Sequence, residues 1–224
     1  MNKLEIIPAI LPKDFFEIEE KIALVNGIAP LVQIDICDGR FVPSTTWPYR
    51  KPDENYEAIL REERGMPEWQ NIDYEFDLMI DNPELSIDKW IALGAIRIVI
   101  HAGAKGDVEK AIEMAVDKVD IGLGLHIDTP IEIIEKYKDK IKYIQIMGID
   151  RVGFQGQDFD PKVLNKIKEV KEKYPDFPIQ IDGAVSLENA LELKNAGAER
   201  LVIGSALFKA DSIVDIYNKL KSIR

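Results

Sequence analysis

The sequence predicts a (β/α)8 barrel, and three observations carry that expectation. Eight short apolar runs alternate with eight amphipathic stretches, the pattern of repeated strand–helix units around a parallel sheet. The length of 224 residues suits such a barrel folded as one unit over 1–224, with no linker-like break to divide it. Along several strand runs the polar residues fall on one parity only, as expected where one face meets helices and the other faces a barrel interior. A doubly wound open sheet is the alternative that the same alternation allows.

In order, the first unit is strand Glu5–Ile10 with helix Asp14–Val25, and the second is strand Leu31–Ile36 with helix Asn55–Glu63. Within the second unit, residues 43–72 form an extended strand-to-helix connection holding Pro43, Trp47, Pro48, Tyr49, Pro52, Gly65, Pro67 and Trp69. It is expected to pack on the barrel rim, with a lid over a site as the alternative, since long loops at the carboxyl-end face are often functional. Strands Asp73–Met79 and Ile96–Ile100 follow with helices Pro83–Leu93 and Lys105–Val116. Strands Ile121–Leu125 and Lys142–Met147 come next, with helices Pro130–Tyr137 and Pro161–Lys173. The last units are strand Pro178–Ile181 with helix Leu187–Asn195, and strand Arg200–Ile203 with helix Ser212–Lys221. Ser186 reads as the cap before Leu187, and Asn195-Ala-Gly197 as a helix end.

Charge and composition narrow the function. With 29 basic against 40 acidic residues, the net charge of −11 argues against a nucleic-acid partner, which needs clustered Lys and Arg. No apolar run approaches the roughly 18 residues of a membrane span. One cysteine, Cys37, cannot form an internal disulfide, and with no leader-like segment at Met1 to Ile10 the expected location is the cytoplasm. Two histidines, His101 and His126, exclude a site of three imidazoles, so any metal would rely on oxygen ligands. Any anionic ligand must be held by local donors.

The polar parity supplies candidates for both. Gln33, Asp35 and Cys37 share one face of their strand; so do Glu75, Asp77 and Met79, and likewise Val99 with His101, Gln145 with Met147, and Gln180 with Asp182. Most lie near the carboxyl ends of their strands, where barrel active sites form. Three inward carboxylates, Asp35, Asp77 and Asp182, cannot pack together without a cation, a shared proton or a ligand. Glu75 sits a layer deeper and reads as structural; Met79 and Met147 read by default as core. Glycines follow the last three strands: Gly153, Gln155, Gly156 and Gln157, then Gly183 and Ala184, then Gly204 and Ser205. Such loops let backbone N–H groups approach an anion, and this end of a barrel is a frequent phosphate site.

These segments resemble the ribulose-phosphate 3-epimerase family over nearly the whole chain. The resemblance rests on Ile7-Pro-Ala-Ile-Leu11, Ile34-Asp-Ile-Cys-Asp-Gly-Arg-Phe-Val-Pro43, Phe76-Asp-Leu-Met-Ile-Asp-Asn-Pro83, Val99-Ile-His-Ala102, Gly153 to Phe159, Ile181-Asp-Gly-Ala-Val185 and Asn195 to Phe208. It implies a ribulose-phosphate-binding type of (β/α)8 barrel, epimerising D-ribulose 5-phosphate and D-xylulose 5-phosphate, as in the pentose phosphate pathway. Asp35 and Asp182 would be the paired acid and base. Substrate and phosphate contacts would come from the three glycine loops with His101, Met79 and Met147. A homo-oligomer is also implied, since relatives form dimers or hexamers.

The chain departs from the family at the metal. Two histidines complete the family's set, one two residues before the strand-two Asp and one before Leu-Met on strand three; here they are Gln33 and Asp77. Ala9 replaces a serine, Cys37 a methionine, and the glycine-rich loops change at Asp150-Arg-Val-Gly153 and at Ala184. The resemblance implies a divalent metal (Mg²⁺, Mn²⁺, Fe²⁺ or Zn²⁺), which Asp35, Asp77, Asp182 and Gln33 would hold, oxygen ligands suiting Mg²⁺ or Mn²⁺ best. A metal-free site, a different pentulose or hexulose phosphate, and a non-catalytic phosphosugar-binding relative are the alternatives. No inward lysine stands at a strand end, which disfavours a Schiff-base aldolase or a decarboxylase. Arg151 reads as a solvated loop charge, with a phosphate donor as the alternative. His101 and His126 read as satisfied structural histidines that can also face the cavity.

Overall fold

Branched apolar residues on one parity and polar or small ones on the other leave each strand with a helix-facing side and an inner side. In the computed structural model, which describes residues 4–150, 152–154 and 156–223, the strands pair in parallel in chain order and close into a barrel. They are β1 (Glu5–Ile10), β2 (Leu31–Cys37), β3 (Asp73–Met79), β4 (Ala95–His101), β5 (Asp120–Leu125), β6 (Tyr143–Met147), β7 (Ile179–Asp182) and β8 (Arg200–Ile203). Closure comes from β1 on β8, with Ile6 opposite Leu201 and Pro8 opposite Ile203. Nine helices are described: α1 (Phe15–Val25), α2 (Glu54–Leu60), α3 (Ile87–Ala92), α4 (Val108–Ala115), α5 (Ile134–Tyr137), α6 (Lys162–Lys173), α7 (Ala190–Ala196), α8 (Ser205–Phe208) and α9 (Ile213–Lys221).

The main core is the shell between strands and helices, where Ile34, Ile36, Phe76, Leu78, Ile98, Ile100, Leu123 and Ile181 meet helix residues such as Ile18, Ile22, Trp90 and Ile167. Capping fixes several helix starts: Asp14, Asp53, Asp107 and Ser212 each accept a hydrogen bond from the backbone N–H three residues on, which stabilises a helix by about 1 kcal/mol.

The barrel interior is polar for most of its depth. At the amino-terminal end Glu5 pairs with Arg97 at 3.1 Å and Arg200 at 3.0 Å, and the Arg200 guanidinium lies 4.7 Å from the centre of the Tyr143 ring. Above them the Tyr143 hydroxyl donates to Glu75 at 2.6 Å. A small apolar cluster of Ile7, Ala9, Leu31 and Val202 fills the β1–β2–β8 side. On β5 the inner positions are glycines. A Cβ on Gly122 would stand 2.4 Å from the Tyr143 ring, and one on Gly124 2.7 Å from His101 Nδ1. Two large neighbours thus occupy the room that β5 leaves.

Strand ends fall within a residue or so of expectation; the helices differ more. The third and fifth begin as 3-10 turns, Pro83–Leu85 and Ile131–Ile133. The seventh starts at Ala190 rather than Leu187, and Ser186 is not its cap. Its backbone N–H donates to Asn189 Oδ1 while Asn189 Nδ2 donates to Ala184 O, so 186–189 is a turn closed by one asparagine. A short helix, α8, follows β8 where the sequence predicts only a loop. In the 43–72 connection Trp47 is buried, in ring contact with Phe15 and Tyr56, and Tyr56 continues to Trp90. This aromatic seam ties the connection to α1 and α3. Among the described residues no helix is long and apolar enough to cross a membrane.

Candidate active site

Register brings the inward carboxylates to one level. Asp35 on β2 stands opposite Asp77 on β3, and Asp182, the last residue of β7, approaches from across β1 and β8. One oxygen from each of the three lies within 4.8 Å of the others. Asp35 and Asp182 line a cavity at the carboxyl end of the strands, with Met79, Met147, Gly153, Gly156, Gly183, Ala184, Gly204 and Ser205 around it. Asp77 is fully buried beneath them. Its Oδ1 is 2.8 Å from His101 Nε2 and its Oδ2 accepts from Gln145 Nε2 at 2.9 Å.

Gln33 is not placed as a ligand. Its Nε2 donates to Asp35 Oδ1 at 2.8 Å and to Asp182 Oδ2 at 3.1 Å, so hydrogens rather than a lone pair face the cluster, against the ligand role expected for it. Burial pushes the Asp35 carboxyl well above the ordinary carboxylate range, and the Asp77 charge adds to this; the Gln33 amide works the other way. Asp182 is raised by burial and then by Asp35 and Asp77, again opposed by Gln33. Such a pair favours keeping one proton between its members, since two like charges this close penalise each other in a desolvated site. Burial and the neighbouring carboxylates push up the Cys37 thiol as well, which keeps it an inert core residue.

The oxygen-only trio fits a hard divalent cation. Asp35, Asp77 and Asp182 can hold one, and the two cavity-facing carboxylates each use only one oxygen on Gln33. The residues expected at the phosphate also converge, with exceptions. Gln155 and Arg151 lie outside the described residues, and Gln157 is half-buried away from the lining set. His101 lines an adjacent trough with Phe41 and His126; His126 Nε2 is 2.8 Å from Asp150 O. Gly183 and Ala184 both have positive φ, +107° and +53°. In the left-handed region a non-glycine residue costs about 1 kcal/mol or more, so Ala184 holds a strained backbone at the cavity wall, tied by Asn189 to its carbonyl.

Two supporting residues have no signal in the sequence. Thr46, far from the strands in the long connection, donates its hydroxyl to Asp35 O at 2.9 Å and accepts from Cys37 N at 2.8 Å, fixing the end of β2. Gly148 N donates to Asp182 O at 2.7 Å, and a Cβ there would stand 2.3 Å from Gly183 O. Gly148→Ala is therefore expected to displace the Asp182–Gly183 peptide, costing about 1–3 kcal/mol of stability and at least tenfold in any turnover. Thermal unfolding and a rate assay on the purified variant check both.

Comparison with known proteins agrees with this geometry. Residues 5–208 match the family model described as "Ribulose-phosphate 3 epimerase family". The chain is 32% identical to the ribulose-phosphate 3-epimerase of Bacillus subtilis, over 92% of both chains. It is 27% identical to that of Schizosaccharomyces pombe, over 99% of this chain and 94% of the yeast protein. Among solved structures, 3-hexulose-6-phosphate synthase from Salmonella typhimurium superposes with a TM-score of 0.71 at 11% identity, covering 98% of each chain. KGPDC from Streptococcus mutans gives 0.68 at 13%, over 99% of each; at these identities both speak for the fold alone. With a barrel that carries acidic residues at the ends of β2 and β7 and a match over most of its length, the chain belongs to the ribulose-phosphate 3-epimerase family.

Proposed function

We propose that this protein epimerises a ketose phosphate at carbon 3, interconverting D-ribulose 5-phosphate and D-xylulose 5-phosphate or a close analogue. The observation that carries the proposal is that Asp35 and Asp182 line one cavity from two strands separated by β1 and β8. Inversion beside a carbonyl needs a base on one face of the carbon and an acid on the other. The ionised carboxylate takes the carbon-3 proton, the electron pair passes into the carbonyl to leave an enediolate, and the protonated partner returns a proton to the opposite face. The reverse reaction exchanges the two roles, so neither group needs a fixed state.

Burial and the charge of neighbouring carboxylates suit the pair to this task, because both raise the carboxyls above their ordinary range. Met79, Met147 and Val202 exclude water around the reacting carbon. The Gly183–Ala184 and Gly204–Ser205 turns line the same cavity, and their backbone amides would meet a phosphate in a site that has no lysine or arginine among the described lining residues. Asp35, Asp77 and Asp182 would hold a divalent cation, which would supply positive charge to offset the negative charge that develops, an effect of several kcal/mol.

The test is solvent exchange. In D2O the protein is expected to place deuterium at carbon 3 of D-ribulose 5-phosphate while D-xylulose 5-phosphate accumulates, followed by NMR with and without added Mg²⁺ or Mn²⁺. Absence of exchange on all pentulose and hexulose phosphates under both conditions would replace the proposal with a phosphosugar-binding role.

A further inference from the structure

Beneath the three carboxylates lies a layer of three glutamines from three strands, Gln33 on β2, Gln145 on β6 and Gln180 on β7, all fully buried. Gln180 Nε2 stands 3.2 Å from Gln33 Oε1 and 2.8 Å from Gln145 Oε1, and 2.6 Å from Glu75 Oε1, so its two hydrogens are shared among three oxygens. Turned the other way, that amide would set its oxygen against three oxygens, so the surroundings fix its orientation. Its own Oε1 has no protein partner among the described residues. That orientation propagates. Because Gln33 and Gln145 each receive Gln180 on the oxygen end, each points its NH2 end away, and both NH2 ends meet carboxylates: Gln33 on Asp35 and Asp182, Gln145 on Asp77.

We propose that Gln180 is a positioning residue of the active site: one central amide that, through Gln33 and Gln145, keeps hydrogen-bond donors aimed at all three carboxylates. The inference rests on the epimerase reading for its kinetic consequence, and on the side-chain geometry alone for its structural one. Gln180 is absent from the cavity lining and touches no substrate. Without it, the oxygen ends of Gln33 and Gln145 lose their donor, and only the carboxylates themselves still hold the two amides in this orientation. The reverse orientation puts a carbonyl oxygen against Asp35 and Asp182, which drives the two carboxylates apart or forces a proton between oxygen atoms. Asp35 and Asp182 then lose the fixed separation that proton transfer on two faces of one carbon requires.

Two readouts test this. In protein labelled with ¹⁵N-glutamine, the side-chain NH2 signals of Gln33 and Gln145, assigned by substitution, are expected to exchange slowly with solvent in the wild type. In Gln180→Met, which keeps the volume and removes the donor, both are expected to shift and exchange faster. For turnover, Gln180→Met is expected to lower kcat by about 10- to 100-fold with KM nearly unchanged. Adding Gln180→Met to the double variant Gln33→Met/Gln145→Met is expected to lose no more than that double variant alone, because Gln180 acts through those two. If Gln180→Met does not fold, Gln180→Leu serves the same readout: it too lacks the donor, so the Gln33 and Gln145 signals are expected to shift and exchange faster. Unchanged amide signals in the folded variant would overturn the proposal whether or not any ketose phosphate is turned over. Independent, multiplying rate losses would overturn it in an active protein. A wild type that performs no exchange, or an Asp35→Asn variant that retains it, would instead remove the epimerase reading and leave the amide signals to decide the relay.

Discussion

Asp35→Asn and Asp182→Asn are each expected to reduce carbon-3 proton exchange by about 10³-fold or more while the barrel stays folded. General acid–base catalysis contributes about 10²–10⁴-fold per group, and here both groups act in every turnover, one as base and one as acid. Asparagine keeps the shape and still accepts from Gln33, so the 2.8 and 3.1 Å contacts can persist; what disappears is the exchangeable proton. The double variant is expected to lose little beyond either single one, since groups that act as a unit are far from additive. Exchange measured in D2O, with folding checked by circular dichroism, decides the point. A single variant with near wild-type exchange would remove that residue from the mechanism.

The second large effect is on stability, and it runs opposite to activity. Both carboxyls are held above the ordinary range by burial and by each other or Asp77, whereas in the unfolded chain they ionise at about pH 3.9. Between those limits the folded protein binds more protons than the unfolded one, so stability falls as pH rises. Their contribution is fully present below about pH 4 and is lost as pH climbs through the raised folded values. At pH 8, Asp182→Asn is therefore expected to be more stable than the wild type by about 1–2 kcal/mol, about 2–8 °C in melting temperature. Near pH 4 the two should converge. Mg²⁺ or Mn²⁺ should stabilise the wild type in the same alkaline range, by about 2.7 kcal/mol at a hundredfold excess over its dissociation constant, and should do so less in Asp77→Ala. A wild type whose melting temperature rises from pH 5 to 8 without added metal would contradict the raised carboxyls.

The barrel is legible because its signals are periodic. Val32, Ile34 and Ile36 against Gln33, Asp35 and Cys37 sort the faces of β2 with no knowledge of its neighbours, and the same parity sets Asp77 and Asp182 inward. Parity does not say at which depth residues meet. That Asp35 and Asp77 share a level depends on the β2–β3 register, and that Asp77 is buried against His101 and Gln145 while Asp35 reaches the cavity depends on neighbours from other strands. Gln33 illustrates the limit best: its inward direction follows from alternation, but which end of its amide faces the carboxylates depends on those carboxylates and on Gln180, 147 residues away. Thr46 is invisible for a similar reason, since a threonine in a proline-rich loop has no periodic pattern to betray its bond to Asp35 O. The start of α7 departs from expectation where two caps compete locally, Ser186 and Asn189, and the longer amide side chain reaches both its neighbours.

The two glycines facing inward on β5 have a historical consequence. Hydrogen atoms alone make the room for the Tyr143 ring and the His101 imidazole, so enlarging either glycine collides with a ring and shrinking either ring leaves a void. Single-step ancestry through this quarter of the barrel is therefore narrow. Lineages that diverge from this chain should change Gly122 together with Tyr143, and Gly124 together with His101, as linked pairs, while the outward Leu123 and Leu125 drift one residue at a time.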